Sequence, residues 1–285
     1  MSAAERRIDL HTHSDASDGT DSPADLVRAA AAARLDAVGL TDHDTVRGWD
    51  EASAVVPETG VALVRGAEIS CRADRVSVHL LSYLHDPVEP ALLEELERSR
   101  QARLERAETM VARLAEDYPI SWEAVRAQAT DEATIGRPHI ADALVAAGVV
   151  ENRSLAFATI VNASTKYYVR YQAPDAVDMV ARVRAAGGVP VIAHARADAR
   201  GKVLSDATIA DMAEAGLFGL EIDHPDHTPD AVRHLAALAD RLGLARTGAS
   251  DYHGAGKPNR LGEGLTETAV LDRIEAEGRL PVVRP

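Results

Sequence analysis

The residues with the plainest chemical potential in this 285-residue chain are its eleven histidines and the carboxylates that stand beside them. In Asp9-Leu10-His11-Thr12-His13, two imidazoles sit at i and i+2 behind the apolar lead-in Ile8 and Leu10. In an extended segment such a pair points to one side. Asp18 follows shortly, in Ser17-Asp18-Gly19. Two same-side imidazoles with a nearby carboxylate begin a metal site, although a bare H-x-H is just as often a pair of polar strand-end residues. Further candidates recur along the chain: Asp42 and His43 in Thr41-Asp42-His43-Asp44, Glu68 in Gly66-Ala67-Glu68, His79, His194, Glu221, His224, and Asp251 and His253 in Ser250-Asp251-Tyr252-His253-Gly254. Cys71 is the only cysteine, which excludes an internal disulfide and a thiolate cluster. A cation bound here would be held through nitrogen and oxygen.

The elements that must position these groups alternate in type. Ser22-Pro23-Ala24-Asp25 has a capping serine, a proline for the first helical position and an acid in the first turn, and opens a helix to about Arg34. Ala37 to Leu40 reads as a short buried strand, a helix follows near Trp49, and the strand Val61 to Val64 runs into Glu68. After a turn at Arg72 to Asp74, a strand over Val76 to Leu84 carries His79. Later, Pro174 starts a helix to about Ala186, Val189 to Ala193 delivers His194, a helix spans Ser205 to about Ala215, and Phe218 to Ile222 leads to Asp223 and His224. Thr228-Pro229 opens a helix, and Ala245 to Ala249 ends at Asp251 and His253. Helices alternating with strands predict an α/β fold in which polar residues at one end of successive parallel strands converge.

Residues 89–166 break that rhythm. Leu92, Leu93, Leu96, Leu104, Met110, Val111 and Leu114 fall at helical spacing, and further helices are expected from Ser121, over Arg137 to Ala147, and over Glu151 to Val161. The expected organisation is therefore a barrel or sheet domain over 1–88 and 167–285 with a helical insertion, a lid or side domain, over 89–166. Elongated crossover helices are the plainer alternative.

A formal net charge of −14 opposes broad electrostatic capture of long nucleic acid or an anionic membrane, and an aromatic content of 4% supplies few base-stacking platforms. No run of about 18 apolar residues is present and the N-terminus shows no signal-like hydrophobic region, so a cytoplasmic protein without a membrane partner is expected. A small anion can still bind where cations or a few arginines reverse the local sign.

Taken in order, the motifs Asp9-Leu10-His11-Thr12-His13, Ser17-Asp18-Gly19, Thr41-Asp42-His43-Asp44-Thr45, Gly66-Ala67-Glu68, His79, His194 and Ser250-Asp251-Tyr252-His253-Gly254 resemble the pattern of the PHP (polymerase and histidinol phosphatase) superfamily. Gly136-Arg137-Pro138-His139 is similar to a motif in the insertion of its stand-alone phosphoesterases, a branch that includes nucleotide phosphatases acting on AMP or 3′,5′-bisphosphonucleotides and a 5′-to-3′ exoribonuclease. The resemblance implies a distorted (β/α)7 barrel with two or three divalent ions (manganese, iron, zinc or magnesium) at the C-terminal strand ends. It implies that His11, His13, Glu68 and Asp251 hold the first ion, that Glu68 bridges to a second completed by His79 and His194, and that Asp18, His43 and His253 hold a third. Asp42 and Asp9 are read as supporting carboxylates rather than ligands.

The reaction so implied is hydrolysis of a nucleotide phosphomonoester by metal-bound hydroxide, since coordination lowers the pKa of water from ~15.7 to about 7. Alternatives are a 5′-to-3′ exonuclease on short RNA ends, a histidinol-phosphate-type phosphatase and, last, a catalytically silent regulatory module. Arg137 and His139 are candidates to grip the phosphate, with helix-start and salt-bridge roles as the plainer reading. Lys166, Arg170 and Lys257 are candidates for a second phosphate or a ribose, and His224 for protonating the leaving oxygen, each against the plainer reading of a solvated loop residue. The partner expected is a small phosphorylated substrate; the oligomeric state is not legible.

Overall fold

The computed structural model describes residues 6–170, 172–197 and 202–285. One seven-stranded sheet runs in the order β1 (Ile8–Thr12), β2 (Ala37–Leu40), β3 (Ala62–Ala73), β4 (Val76–Tyr83), β5 (Val189–Ile192), β6 (Gly219–Asp223) and β7 (Ala245–Gly248). Spatial order that follows chain order is what repeated right-handed crossovers produce, and it curls the sheet toward closure. The two edges meet above the strand ends, where His13 N donates to the Tyr252 carbonyl at 2.8 Å. The result is a distorted, nearly closed (β/α)7 barrel.

The distortion has a local cause. β3 does not end near Glu68 or turn at Arg72; it continues to Ala73 and reverses through Asp74 and Arg75, both at positive φ (48° and 65°). A two-residue turn of that handedness makes a hairpin, so β4 pairs antiparallel with β3 and with β5, while the other neighbours are parallel. The expectation of uniformly parallel strands thus fails at β4. His79, opposite Ser70 in this hairpin, reaches the strand-end region from the extension of the sheet rather than from a strand terminus.

Helices cover the outside. α1 (Pro23–Ala32) starts as the sequence indicates, with Ser22 Oγ accepting from Asp25 N at 3.1 Å, and α2 (Trp49–Ala54) and α3 (Val56–Thr59) complete the first layer. The insertion comprises α4 (Pro90–Leu114), α5 (Trp122–Arg126), α6 (Arg137–Ala146) and α7 (Arg153–Thr159). α4 is one helix of 25 residues with two allegiances. Leu92 and Leu96 pack in the same cluster as Val180 and Val183, whereas Met110, Val111 and Leu114 join Ile140, Leu144 and Val161. The first turns of the insertion are therefore part of the barrel's outer layer. α8 (Ala176–Ala185) is capped by Asp175 rather than begun by Pro174, because the Asp175 carboxylate accepts from Val177 N and Asp178 N. α9 (Asp206–Glu214) and α10 (Pro229–Leu242) lie near their expected spans. α11 (Thr268–Glu277), which the sequence reading did not separate, buries Leu271 and Ile274 against Ile8, Leu10, Val64 and Val191 of the strands. Among the described residues no helix is long and apolar enough to cross a membrane.

Candidate metal centre

β1 presents His11 and His13 on one side, as alternation requires, and both are fully buried with their Nε2 atoms 3.0 Å apart. Glu68 of β3 places Oε2 3.4 Å from His11 Nε2 and 3.1 Å from His13 Nε2. Asp251, just beyond β7, places Oδ1 at 3.5 and 3.4 Å from the same two nitrogens. A tetrahedral ion with bonds of about 2.1 Å has donor-to-donor edges of about 3.4 Å. The two imidazole nitrogens stand near that spacing from each other and from both carboxylate oxygens, which are supplied from far along the chain.

The second oxygen of Glu68 faces the other way, with Oε1 2.7 Å from His79 Nδ1 and 3.1 Å from His194 Nε2. Asp18 lies between His253, whose Nε2 is 3.3 Å away, and His43, whose Nε2 is 3.7 Å away. All nine residues singled out as ligands in the sequence therefore come together. The division into three sets is less clean than the sequence reading drew it, because His43 also approaches Glu68 through Nδ1 at 3.0 Å and His13 lies within reach of Asp18 and Asp251. Distance alone groups His43 with Glu68 and His79 as readily as His13 with Asp18 and His43.

The donor chemistry suits cations. His43 Nδ1, His253 Nε2 and His224 Nε2 are buried without a hydrogen-bond partner, which costs about 1–3 kcal/mol each unless something else accepts the lone pair or proton. Burial, reinforced by Arg103 at His43 and by Lys257 at His253, lowers the pKa of both imidazoles, that of His253 to about 4. Burial works against Glu68 and Asp18, yet the surrounding histidines (His79, His43 and His11 about Glu68; His43, His253 and His13 about Asp18) keep both carboxylates well below their ordinary range. At His13, burial is outweighed by Asp251 and Glu68, and the pKa rises to about 9. The carboxylates thus demand positive charge at their centre, which a proton or a divalent ion can supply.

Supporting groups fix the geometry. Glu221 of β6, whose function the sequence did not reveal, holds His11 Nδ1 at 3.0 Å and accepts from His194 N at 2.8 Å, so His11 Nε2 is the nitrogen turned to the cluster. A buried acid within the apolar run Leu220-Glu221-Ile222 was the available signal. Asp42 touches no imidazole directly: it accepts from Ser14 and from Ser17 Oγ, which lies 3.4 Å from His13 Nδ1. Asp9 accepts from Ser250 N at 3.0 Å and Gly262 N at 2.8 Å, tying β1 to the loop after β7. Asp44, His194 and Asp251 all adopt positive φ (53°, 32° and 54°), an unfavourable conformation for non-glycine residues that concentrates at this rim.

The remaining candidates divide. His224 joins the cluster: its Nδ1 accepts from Asp226 N at 3.0 Å, which assigns the proton to Nε2, 3.7 Å from Asp251 Oδ2. Lys257 joins it too, with Nζ 2.8 Å from the same oxygen. His139 is buried beside the Asp18 loop and spends Nδ1 on its own helix start, accepting from Gly136 N at 3.2 Å. Arg137 stacks its guanidinium over Phe157 and Tyr168, 5.3 and 5.7 Å from the ring centres, and lines a cleft with Arg103 and Arg106. Lys166 is not brought to the cluster; it pairs with Asp117 at 2.6 Å on the exposed side of the insertion. Arg170 is solvent-exposed in the segment leaving the insertion. Sequence reasoning missed Arg103 of α4, which crosses from the insertion to Asp44 at 2.7 Å and Ser70 at 2.6 Å. One arginine among five in a charged helix carries no signal of that contact.

Other proteins resemble this chain over most of its length. A PHP domain family profile matches residues 9–150. The 3′,5′-nucleoside bisphosphate phosphatase of Chromobacterium violaceum is 35% identical over 254 residues, 89% of each chain. A 5′-3′ exoribonuclease of Haemophilus influenzae is 32% identical over 250 residues, 87% of this chain and 90% of the relative. A crystal structure from Bifidobacterium adolescentis, assigned as a metal-dependent phosphoesterase, superposes with a TM-score of 0.93 at 44% identity and covers 96% of both chains. An amidohydrolase structure from Chromobacterium violaceum, with bound sulfate and no metal, gives a TM-score of 0.87 at 32% identity over 98% of both chains.

Proposed function

This chain belongs to the PHP-domain family of metal-dependent phosphoesterases, hydrolases of phosphoric esters, and from that premise we propose that it removes a phosphate from a small nucleotide of the 3′,5′-bisphosphonucleotide or AMP type. The observation that carries the reading is the buried quartet His11, His13, Glu68 and Asp251, in which the two imidazole Nε2 atoms lie 3.0 to 3.5 Å from each other and from one oxygen of each carboxylate. His11, His13, Glu68 and Asp251 would hold one divalent ion, Glu68 would share a second with His79 and His194, and Asp18, His43 and His253 would hold a third. Manganese, iron, zinc and magnesium all suit such a nitrogen and oxygen set, and availability selects among them. Bound ions supply a water of lowered pKa and withdraw charge from phosphoryl oxygens.

The chain's own residues do the rest. Glu221 fixes the His11 ring, and Asp42 acts through Ser17 on His13, so the imidazoles need no reorientation when a ligand arrives. Lys257, already against Asp251, is a mobile point charge able to turn to a phosphate oxygen. His224 carries a proton at Nε2 beside Asp251 and can donate it to the departing alkoxide. Arg137 of the insertion is the candidate to meet a second phosphate; the bisphosphate substrate named for the Chromobacterium relative and the sulfate bound in the amidohydrolase structure from that organism support an oxyanion site in this fold. The exoribonuclease relative supports a second reading, in which the same chemistry acts on the 5′ end of short RNA.

The test is a substrate panel after chelation and add-back of each metal. Phosphate release should return fastest on a 3′,5′-bisphosphonucleotide, more slowly on AMP and least on histidinol phosphate. Faster turnover of a 5′-phosphorylated oligoribonucleotide would favour the second reading, and no release from any phosphoester would end both.

A further inference from the structure

Besides Arg103, a second arginine of the insertion reaches the loops that carry the cluster. Arg153 opens α7 and is nearly buried, with its side chain 12% exposed. Its Nε and Nη2 pair with both carboxylate oxygens of Asp142 on α6, the fork geometry that fixes a guanidinium in orientation. Held so, Nη1 donates to the Asp18 carbonyl at 3.0 Å. The same nitrogen lies where a Cβ on Gly256 would come within 2.3 Å, so the guanidinium is seated against the bare backbone of the loop that follows His253. That loop and the Asp18 loop are already interlocked, since Thr20 Oγ1 accepts from Ala255 N at 2.8 Å.

Resting on the metal-ligand reading above, we propose that Arg153, oriented by Asp142, is a positioning residue for the cation held by Asp18, His43 and His253. Asp18 and His253 come from opposite ends of the chain, and their carboxylate and imidazole stand 3.3 Å apart. Arg153 donates to the backbone of one loop and abuts that of the other rather than pairing with a ligand side chain, so it sets their separation without joining the ligand set. Of the other set, His11 and His13 stand on β1 and Glu68 on β3, away from the Arg153 contact, and only Asp251 shares the loop that holds Gly256.

The discriminating experiment is a calorimetric Mn²⁺ titration of the chelated full chain, in parallel for wild type, Arg153→Met, Arg153→Lys and Asp142→Asn. Supporting groups around a metal commonly change its affinity by about 10–100-fold. Arg153→Met should weaken one class of site by that factor and leave the tightest class unchanged. Lysine, which keeps the charge but not the fork, should recover little. Asp142→Asn should fall between. Gly256→Ala, which pushes the guanidinium away without removing it, should reproduce the selective loss and serves if Arg153→Met does not fold. Equal weakening of every class, or none in any variant, would overturn the proposal. Because the readout is binding, a wild-type chain that takes up Mn²⁺ in separable classes yet hydrolyses nothing would refute the proposed activity and leave this inference standing.

Discussion

Replacing Glu68 by glutamine should strip the centre of its cations while leaving the barrel folded. The substitution preserves shape but removes one negative charge and turns one oxygen into a donor. In the structure Glu68 Oε2 lies 3.4, 3.1 and 3.0 Å from His11, His13 and His43, and Oε1 lies 2.7 and 3.1 Å from His79 and His194. No other carboxylate reaches both halves of the cluster among the described residues. At an effective dielectric of about 20, a unit charge about 4 Å from another is worth about 4 kcal/mol. A divalent ion loses at least that, roughly a thousandfold in affinity, and an ion on each side of Glu68 loses it. Glu68→Gln dialysed against micromolar Mn²⁺ should therefore contain less than half the wild-type metal by elemental analysis, with unchanged far-UV dichroism. Glu221→Gln is the control, since Glu221 holds the far nitrogen of His11 and the backbone of His194 rather than the face of the cluster, and it should cost about 10–100-fold. Wild-type metal content and affinity in Glu68→Gln would refute the placement of Glu68 as the shared ligand.

Two further outcomes follow from the same geometry. Lys257→Met should leave metal content near wild type and raise KM for a nucleotide phosphate about tenfold, because it removes a cation from the substrate side of Asp251; steady-state kinetics beside elemental analysis checks it. His85 lies away from the centre, and burial depresses its pKa to about 4, against the weaker opposing pull of the Ser82 backbone and Asp86. The unfolded chain, with an ordinary histidine, takes up this proton first, so the stability His85 lends is complete above pH ~6.5 and falls away as pH drops toward 4, by roughly 3 kcal/mol in all. Denaturant unfolding of chelated wild type and His85→Gln should show their stability difference shifting by that amount in favour of the mutant across this window; a pH-independent difference would count against a neutral buried His85.

Much of this protein is legible from its amino acids because the signals are local. Alternating apolar runs and capped helices mark the α/β order, Ser22-Pro23 and Thr228-Pro229 announce their helices, and H-x-H on a strand puts His11 and His13 on one side whatever surrounds them. That nitrogen and oxygen donors, not a thiolate cluster, are what this chain offers a cation follows from composition alone. Only the tertiary structure decides distances between residues remote in the chain. Asp18 meets His253, and Glu221 meets His11, because barrel register brings their strand ends together, and no local pattern encodes that register. The reversal of β4 hangs on two positive φ angles at Asp74 and Arg75, residues that need no glycine to announce them. Arg103 and Arg153 are two of many arginines on charged helices, and what singles them out is burial against Asp44 and Asp142, a consequence of how the insertion packs on the barrel rather than of what precedes or follows them in sequence.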